Sequence, residues 1–288
     1  SSWDKKEIEA LNKVIASGKF TMGQNVKKFE KLFASYFGSK YCVMVNSGSS
    51  ANLLAIASLF FRSNESLKPG DEILVPGVSW ATTFHPLQQY GLKLKFVDID
   101  IDTLNFDLNH LEKSITNSTK AILAVNLLGN PNNFLKIRKL IHEKNIILIE
   151  DNCESMGARF EKKFSGSFGL IGTFSSFFSH HISTMEGGMI ITDDLEIYHI
   201  LLSLRAHGWT RDLPIKNSLV KKGKNEFKES FRFILPGYNL RPLELSGAVG
   251  IEQLKKLPSI IKTRRLNALY FTDKFKKQHN FKIQKEIG

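Results

Sequence analysis

The sequence predicts an α/β fold with a mostly parallel central sheet between layers of helices. Two observations carry this prediction. Short apolar segments of strand length recur between residues 41 and 150, and segments with helical periodicity separate them. Such a strand–helix–strand order favours parallel pairing, because the intervening helix returns the chain to the edge at which the previous strand began.

The elements of this region follow one another in a regular order. Two amphipathic helices come first, at residues 5–15, where Ile8, Leu11 and Ile15 share one face, and at residues 25–37. The strands that follow are predicted at residues 41–45, 72–75, 95–97, 121–125 and 146–150. The helices between them are predicted at residues 51–61, 81–90, 107–114 and 135–143.

The pattern changes beyond residue 151. The predicted elements there are two neighbouring strands, a helix, a lysine-rich surface loop and two more helices, at residues 174–178, 189–192, 195–204, 217–230, 242–257 and 260–277. We therefore expect a large domain over residues 1–240. Residues 241–288 are expected to begin a smaller C-terminal α+β domain, whose remainder lies beyond the chain.

Length and composition are those of a globular protein. The 288 residues, 42% of them hydrophobic, suffice for one large domain and part of a second. No stretch is apolar and long enough to span a bilayer, and the first residues do not resemble a signal peptide, so a cytoplasmic protein without a membrane partner is expected. Cys42 and Cys153 lack metal-ligand spacing and are expected to be reduced, buried thiols.

The formal net charge of +12 indicates either an anionic partner or drift in composition. Nucleic-acid binding would need a concentrated basic stripe interleaved with exposed aromatic residues, and none is evident. The two dense basic clusters, residues 216–228 and 255–265, are interpreted as solvated surface. We favour drift and expect no nucleic-acid partner, with some contribution of the charge to binding a diphosphate.

A run of small residues, 46–50, follows the first predicted strand and opens a helix. Small residues there let backbone N–H groups approach an anion, and the helix dipole favours negative charge at this end. An ordinary helix N-cap formed by Ser49 or Ser50 would give the same pattern. Both interpretations stay open on this segment alone.

Two acids, Glu150 and Asp151, end a buried strand. In open α/β sheets, ligands bind at the carboxyl ends of the strands. A carboxylate there can pair with a protonated ring nitrogen of a ligand. Capping of a helix by Asp151 is the alternative interpretation.

Two adjacent histidines, His180 and His181, follow another predicted strand. Joint metal binding is disfavoured, because neighbouring residues of an extended segment point to opposite faces, and no metal site is expected. We predict that one histidine faces inward and moves protons while the other is packed or exposed.

Together these segments resemble the sugar aminotransferase family of fold type I pyridoxal phosphate enzymes, over essentially the whole chain. The matching segments are residues 18–23, 47–49, 70–72, 96–100, 150–151, 175–180, 186–188 and 237–242. The resemblance implies the type I fold and a cofactor that alternates between pyridoxal 5′-phosphate and pyridoxamine 5′-phosphate. It also implies a homodimer with shared active sites.

One departure from the family pattern carries the functional prediction. Relatives have a lysine that binds the cofactor covalently where this chain has His180, and residues 164–215 contain no lysine that could replace it. Within the family, a histidine at this place marks the sugar 3-dehydratases. The resemblance therefore implies removal of the C3 hydroxyl from a GDP-linked 4-keto-6-deoxy sugar, with L-glutamate as amino donor, in deoxysugar biosynthesis of the O-antigen type. Two cysteines are too few for an iron–sulfur cluster, which favours the type that needs no iron–sulfur reductase.

The resemblance also implies roles for single residues. His180 is expected to be the catalytic base, and Asp151 to stabilise the charged ring nitrogen of the cofactor. Trp80 is expected to stack on the cofactor ring, although a core aromatic would fit the sequence too. The other expected cofactor contacts are Gly48, Ser49, Ser175, Glu154 and, from the partner subunit, Asn239. Glu154 is expected to orient Asp151 or the cofactor hydroxyl, and His181 and Glu186 are expected to be structural.

Two other functions remain open at this point. A nucleotide-sugar aminotransferase would keep the fold but form an amino sugar. A catalytically inactive binding protein would suit the loss of the lysine. Retention of Trp80, Asp151, Ser175 and residues 47–49 argues against the inactive protein, because a decayed site should lose several of these.

Overall fold

The computed structural model describes residues 2–278 and 280–288. The helices are α1 (Lys5–Ser17), α2 (Gln24–Phe37), α3 (Gly48–Leu59), α4 (Ala81–Gln89), α5 (Leu108–Ser114), α6 (Phe134–Ile141), α7 (Leu195–Arg205), α8 (Glu226–Ser230) and α9 (Glu244–Phe275). The strands are β1 (Tyr41–Val45), β2 (Glu72–Pro76), β3 (Lys93–Val97), β4 (Thr119–Val125), β5 (Ile147–Asp151), β6 (Arg159–Phe160), β7 (Lys163–Phe164), β8 (Ile171–Ser175) and β9 (Gly188–Thr192).

Seven of these strands form one mixed sheet in the order β1-β9-β8-β5-β4-β2-β3. Strands β2, β3, β4, β5 and β8 pair in parallel, whereas β9 is antiparallel to both of its neighbours. The predicted mostly parallel sheet is confirmed, as is the prediction that β8 and β9 are neighbours. The parallel strands direct their carboxyl ends to one edge, where ligands bind in this type of fold.

Helix α2 packs one face of the sheet through phenylalanines spaced four residues apart. Phe29, Phe33 and Phe37 are fully buried or nearly so, and the Phe33 ring meets Phe174 of β8 at a centroid distance of 5.3 Å. Residues four apart lie on the same side of a helix, so the three rings form a continuous aromatic layer. The layer supports β8, which ends at the site described below.

Helix α9 approaches α2 closely because two of its residues are glycines. A Cβ atom at Gly247 would lie 2.6 Å from the backbone nitrogen of Val26, and one at Gly250 would lie 2.6 Å from the ring of Phe29. No side chain fits in either gap. The division of the chain at residue 240 stays a prediction, while the first turns of α9 pack into the same core as α2.

Three sequence predictions about secondary structure are wrong in detail. The two helices predicted at 242–257 and 260–277 are one helix, which runs through Pro258. Proline removes one helical hydrogen bond, but Leu257 and Ile261 continue the apolar packing past it. The predicted loop 217–230 ends in the short helix α8, and the strand predicted at 174–178 is β8, which ends at Ser175. The hairpin of β6 and β7 was not predicted from the sequence.

The basic cluster 255–265 is also not uniformly solvated. Lys256 donates to the fully buried carboxylate of Glu7 at 2.7 Å and pairs with Asp4 at 2.9 Å, which joins α1 to α9. In the described part of the chain, no helix has the length and apolar character needed to cross a membrane.

Candidate active site

Asp151, the last residue of β5, is held by three hydrogen bonds at the carboxyl edge of the sheet. Its Oδ2 atom accepts hydrogen bonds from Asn52 Nδ2 at 2.8 Å and from Thr83 Oγ1 at 2.9 Å. Its Oδ1 atom accepts one from the backbone nitrogen of Cys153 at 3.0 Å. The side chain is only 4% exposed, so these three donors fix the orientation of a nearly buried carboxylate. Helix capping, the alternative interpretation of Asp151, is not its role here.

Glu150 points to the opposite side of the sheet, as its neighbouring place on the strand requires. Its carboxylate accepts hydrogen bonds from the backbone nitrogens of Gly166, Phe168 and Gly169 at 2.6–2.7 Å. Burial raises the pKa of Glu150, against the opposing effect of these donors. Glu150 therefore shapes the 165–170 loop, and Asp151 alone of the two acids faces the site.

Gly48, Ser49 and Ser175 come together at the N-terminus of α3. A Cβ atom at Gly48 would lie 2.5 Å from the Cβ of Ser175 and 3.1 Å from the Sγ of Cys153, so only glycine lets α3 approach the end of β8. Ser47 caps the helix by accepting a hydrogen bond from the backbone nitrogen of Ser50. The N-cap predicted at Ser49 or Ser50 is therefore wrong, because Ser47 is the capping residue. This leaves Gly48 and Ser49 in the first turn, at the positive end of the helix dipole, and their role as an anion cradle stays a prediction.

Trp80 precedes α4 and lies beside this cradle. Its side chain is 71% exposed, so the alternative that it is a core aromatic is wrong. Two residues after it, Thr82 Oγ1 accepts a hydrogen bond from Ser49 Oγ at 2.9 Å, and the next residue, Thr83, holds Asp151. The start of α4 therefore links the cradle to the carboxylate, with the indole ring free to contact a ligand.

His180 and His181 lie on a turn after β8, not on an extended segment. The backbone nitrogen of His180 donates to Phe177 O at 2.9 Å, which closes the turn. Burial lowers the pKa of His180, and Arg264 lowers it as well, whereas Glu154 and Asp151 act in the opposite direction. The imidazole is therefore largely neutral at neutral pH, the form in which histidine accepts a proton.

Glu154, whose charge acts on His180, holds a neighbouring loop. Its Oε2 atom accepts a hydrogen bond from the backbone nitrogen of Leu128 at 3.0 Å. Leu128 adopts a left-handed backbone conformation, with φ 53°, that is unfavourable for leucine. The contact stabilises that strained residue, and the role of Glu154 toward a cofactor stays a prediction.

Both histidines border a cleft of about 360 Å³. One wall consists of the turn around His180 and the segment after β5, and the opposite wall is the second half of α9. The charged and histidine side chains of its lining are those of Glu154, Arg159, His180, His181, Arg264, Arg265 and Glu286. Asn239 is not part of this lining: it is exposed, and its Oδ1 atom accepts a hydrogen bond from Arg241 Nε at 3.1 Å.

Two of the residues that hold Asp151 were not predicted from the sequence. Asn52 is a polar residue among the mostly apolar buried residues of α3, and this pattern indicates a buried hydrogen bond. Thr83 carried no comparable signal, because threonine is common on helix surfaces. Thr173 Oγ1 completes the network by donating to Asn52 Oδ1 at 2.6 Å.

Known proteins with similar sequences share this architecture. The model of the DegT/DnrJ/EryC1/StrS aminotransferase family matches residues 1–287. The chain is 64% identical to the GDP-4-keto-6-deoxy-D-mannose 3-dehydratase of Escherichia coli O55:H7 and 62% identical to that of Yersinia pseudotuberculosis. Each of these matches covers 100% of this chain and 74% of the relative.

A solved structure of a GDP-4-keto-6-deoxymannose-3-dehydratase, with a trapped PLP-glutamate geminal diamine, superimposes with a TM-score of 0.98. It is 63% identical, and the match covers 100% of this chain and 75% of the other. Together with the family model, this agreement confirms the predicted fold. The chain therefore belongs to the DegT/DnrJ/EryC1/StrS aminotransferase family.

Proposed function

We propose that this chain is a pyridoxal phosphate-dependent 3-dehydratase of nucleotide-linked sugars. Its substrate is GDP-4-keto-6-deoxy-D-mannose, its product is GDP-4-keto-3,6-dideoxymannose, and its amino donor is L-glutamate. The observation that carries the proposal is His180, which lines the cleft at the place where the aminotransferases of the family have a lysine. Identities of 64% and 62% to two named 3-dehydratases support it.

The residues at the sheet edge fit the cofactor. The helix end at Gly48 and Ser49, beside Ser175, offers backbone and hydroxyl donors to a phosphate in a gap that no Cβ could share. Asp151 offers a carboxylate, held by three donors, to a protonated ring nitrogen. Trp80 offers an exposed indole face for stacking. When bound, the cofactor supplies the amino group that condenses with the C4 ketone and a ring that accepts electrons.

His180 moves the protons of the reaction. As a neutral imidazole it takes the proton at the C4′ atom of the cofactor through a free ring nitrogen. It then assists departure of the C3 hydroxyl by donating a proton to that oxygen, so the hydroxyl leaves as water. A lysine in its place would also bond to the cofactor and direct the reaction toward amino transfer. Histidine forms no stable bond of that kind, which leaves elimination as the outcome.

We further propose that the enzyme is a cytoplasmic homodimer and that it takes part in the biosynthesis of lipopolysaccharide O-antigen sugars. Asn239 is exposed and lies outside the cleft of its own chain, which suits a residue donated to the partner's cofactor. A dimer of this kind is isologous, so each subunit would complete the site of the other.

A turnover assay tests the function. The purified protein is incubated with pyridoxal phosphate, L-glutamate and GDP-4-keto-6-deoxy-D-mannose, and the products are identified by mass spectrometry. Loss of the C3 oxygen together with formation of ammonia and 2-oxoglutarate is expected, and His180→Asn is expected to abolish it. An amino sugar as the product would favour the aminotransferase and refute the role of His180.

A further inference from the structure

The α9 wall of the cleft carries positive charge without a partner. Arg264 and Arg265 both line the cleft, and within residues 2–278 and 280–288 neither guanidinium group makes a hydrogen bond or an ion pair. Arg159, which also lines it, stacks on the ring of Phe164 at 3.8 Å. The nearby acid Glu154 is hydrogen-bonded to a backbone nitrogen, and Glu286 lies at the C-terminal rim.

His181 adds an unused polar atom to the same cleft. It is only 9% exposed, and its Nδ1 atom is buried with no hydrogen-bond partner in the described chain. Burial, the charge of Arg264 and the neighbouring His180 together lower the pKa of His181 to about 4. A neutral imidazole carries a single N–H, and a buried polar atom without a partner is costly unless a ligand satisfies it.

We propose that Arg264 and His181 bind the α-carboxylate of the amino donor, a dicarboxylic amino acid. The guanidinium group presents parallel N–H donors that match a carboxylate, and an N–H on Nδ1 of His181 adds another. This assignment rests on the proposed function and adds to it the residues that select the amino donor.

The position in the cleft favours this carboxylate over the diphosphate of the nucleotide sugar. In an α-amino acid the α-carboxylate is bonded to the carbon that carries the reacting amino group, so its receptor must lie beside the residue that moves protons there. Arg264 meets this condition, since it shares the cleft with His180 and its charge acts on that imidazole. The diphosphate is attached to C1 of the sugar, across the ring from the reacting carbons C3 and C4.

Arg264→Gln in the cofactor-loaded enzyme tests the proposal through the two halves of the reaction. We expect the glutamate concentration for half-maximal formation of pyridoxamine phosphate to rise about 10- to 100-fold, the usual effect of losing a charged hydrogen-bonded pair. A single turnover of the GDP-sugar by enzyme already loaded with pyridoxamine phosphate is measured at a pH well above the acid limb of His180, where the effect of Arg264 on that imidazole does not alter its protonation. Its rate should stay within about twofold of the parent enzyme, because that half-reaction contains no glutamate. For Arg264→Lys, the glutamate concentration for half-maximal formation of pyridoxamine phosphate should lie between the values of the parent enzyme and of Arg264→Gln.

A binding measurement separates this proposal from the proposed function. Glutarate, a dicarboxylate without an amino group, is titrated calorimetrically into the pyridoxal phosphate form, and Arg264→Gln should weaken its binding by a similar factor. Lys262→Gln, which removes a charge from the same turn of α9 but does not line the cleft, should change nothing. GDP is titrated in parallel.

Each outcome has one meaning. If Arg264→Gln weakens GDP instead of glutarate, the site belongs to the diphosphate and the proposal is wrong. If it leaves glutamate and glutarate unaffected, the proposal is equally wrong. If the parent protein fails to convert the GDP-sugar while glutarate binding depends on Arg264, the carboxylate site stands and the proposed function fails.

Discussion

The side chain of Asn52 on α3 donates a hydrogen bond from Nδ2 to Oδ2 of Asp151, at the end of β5, over 2.8 Å. The two residues are 99 positions apart in the sequence, and both are nearly buried. The same helix begins at Gly48, in the cradle proposed for the phosphate. One rigid helix therefore fixes the distance between the two groups that would hold opposite ends of the cofactor.

Replacement of Asn52 should weaken both cofactor binding and the fold. Asn52→Ala removes one of the two donors to Oδ2 of Asp151 and leaves Thr173 Oγ1 without its acceptor on Asn52. A buried polar group that loses its partner costs about 1–3 kcal/mol, so the free energy of unfolding should fall by that amount. Chemical denaturation measures this, and fluorescence titration with pyridoxal phosphate should show a higher Kd. Asn109→Ala, on the exposed face of α5, is the control, and equal effects of both variants would contradict the role of Asn52.

Adding a methyl group to Gly48 should prevent the close approach of α3 to β8. The Cβ of Gly48→Ala would lie 2.5 Å from the Cβ of Ser175. The neighbouring backbone must move to relieve this clash. Overpacking of this kind costs about 1–3 kcal/mol, and the displaced helix end should bind phosphate poorly. The midpoint of thermal unfolding and the retention of cofactor on gel filtration measure the two effects. Gly77→Ala, where the new Cβ would meet its nearest atom at 3.6 Å, should be close to neutral.

The dependence of kcat on pH should show an acid limb with its midpoint below 6.5. His180 acts as a base only when neutral, and burial lowers its pKa from 6.5, so activity should be lost only as the pH falls through that lowered value. Glu154 favours the protonated imidazole and Arg264 disfavours it. Glu154→Gln should therefore move the limb to lower pH, and Arg264→Gln should move it to higher pH.

The control for this profile is Glu112→Gln, which removes an exposed carboxylate on α5. Its acid limb should coincide with that of the parent enzyme. Shifts of Glu154→Gln and Arg264→Gln in the same direction would contradict the assignment of the limb to His180.

His180→Lys should convert a dissociable cofactor into a covalently attached one. The introduced amine would lie in the cleft that we assign to the cofactor's reactive end, where lysine bonds to aldehydes and histidine does not. We expect the cofactor to survive prolonged dialysis, and a mass increase of the protein after borohydride reduction. Dehydration should fall at least about 100-fold, the usual contribution of a positioned base. Lys262→Gln serves as the matched control, and an unmodified mass of His180→Lys would show that residue 180 does not face the cofactor.

The fold was largely readable from the sequence because its signals are local. The alternation between strand-length and helix-length apolar segments predicted the parallel strands and their order in the chain. The continuity of α9 was not readable, since Pro258 normally ends a helix and only the packing of Leu257 and Ile261 on both sides of it outweighs that tendency. The antiparallel direction of β9 likewise depends on where the turn after His180 directs the chain.

For the site, too, some features follow from the sequence and others only from the tertiary structure. The sequence by itself carried the resemblance to the family, and through it the expected type of chemistry, because Asp151 and His180 occupy matching places and residues 164–215 contain no lysine. Only the tertiary structure decided which groups act on them. The side-chain donors to Asp151 come from α3 and α4, and the charges that act on His180 are those of Glu154, Asp151 and, from α9, Arg264. Hydrogen bonds and electrostatic effects depend on distance in space, and the folding of a parallel sheet brings together residues whose separation in sequence gives no indication of it.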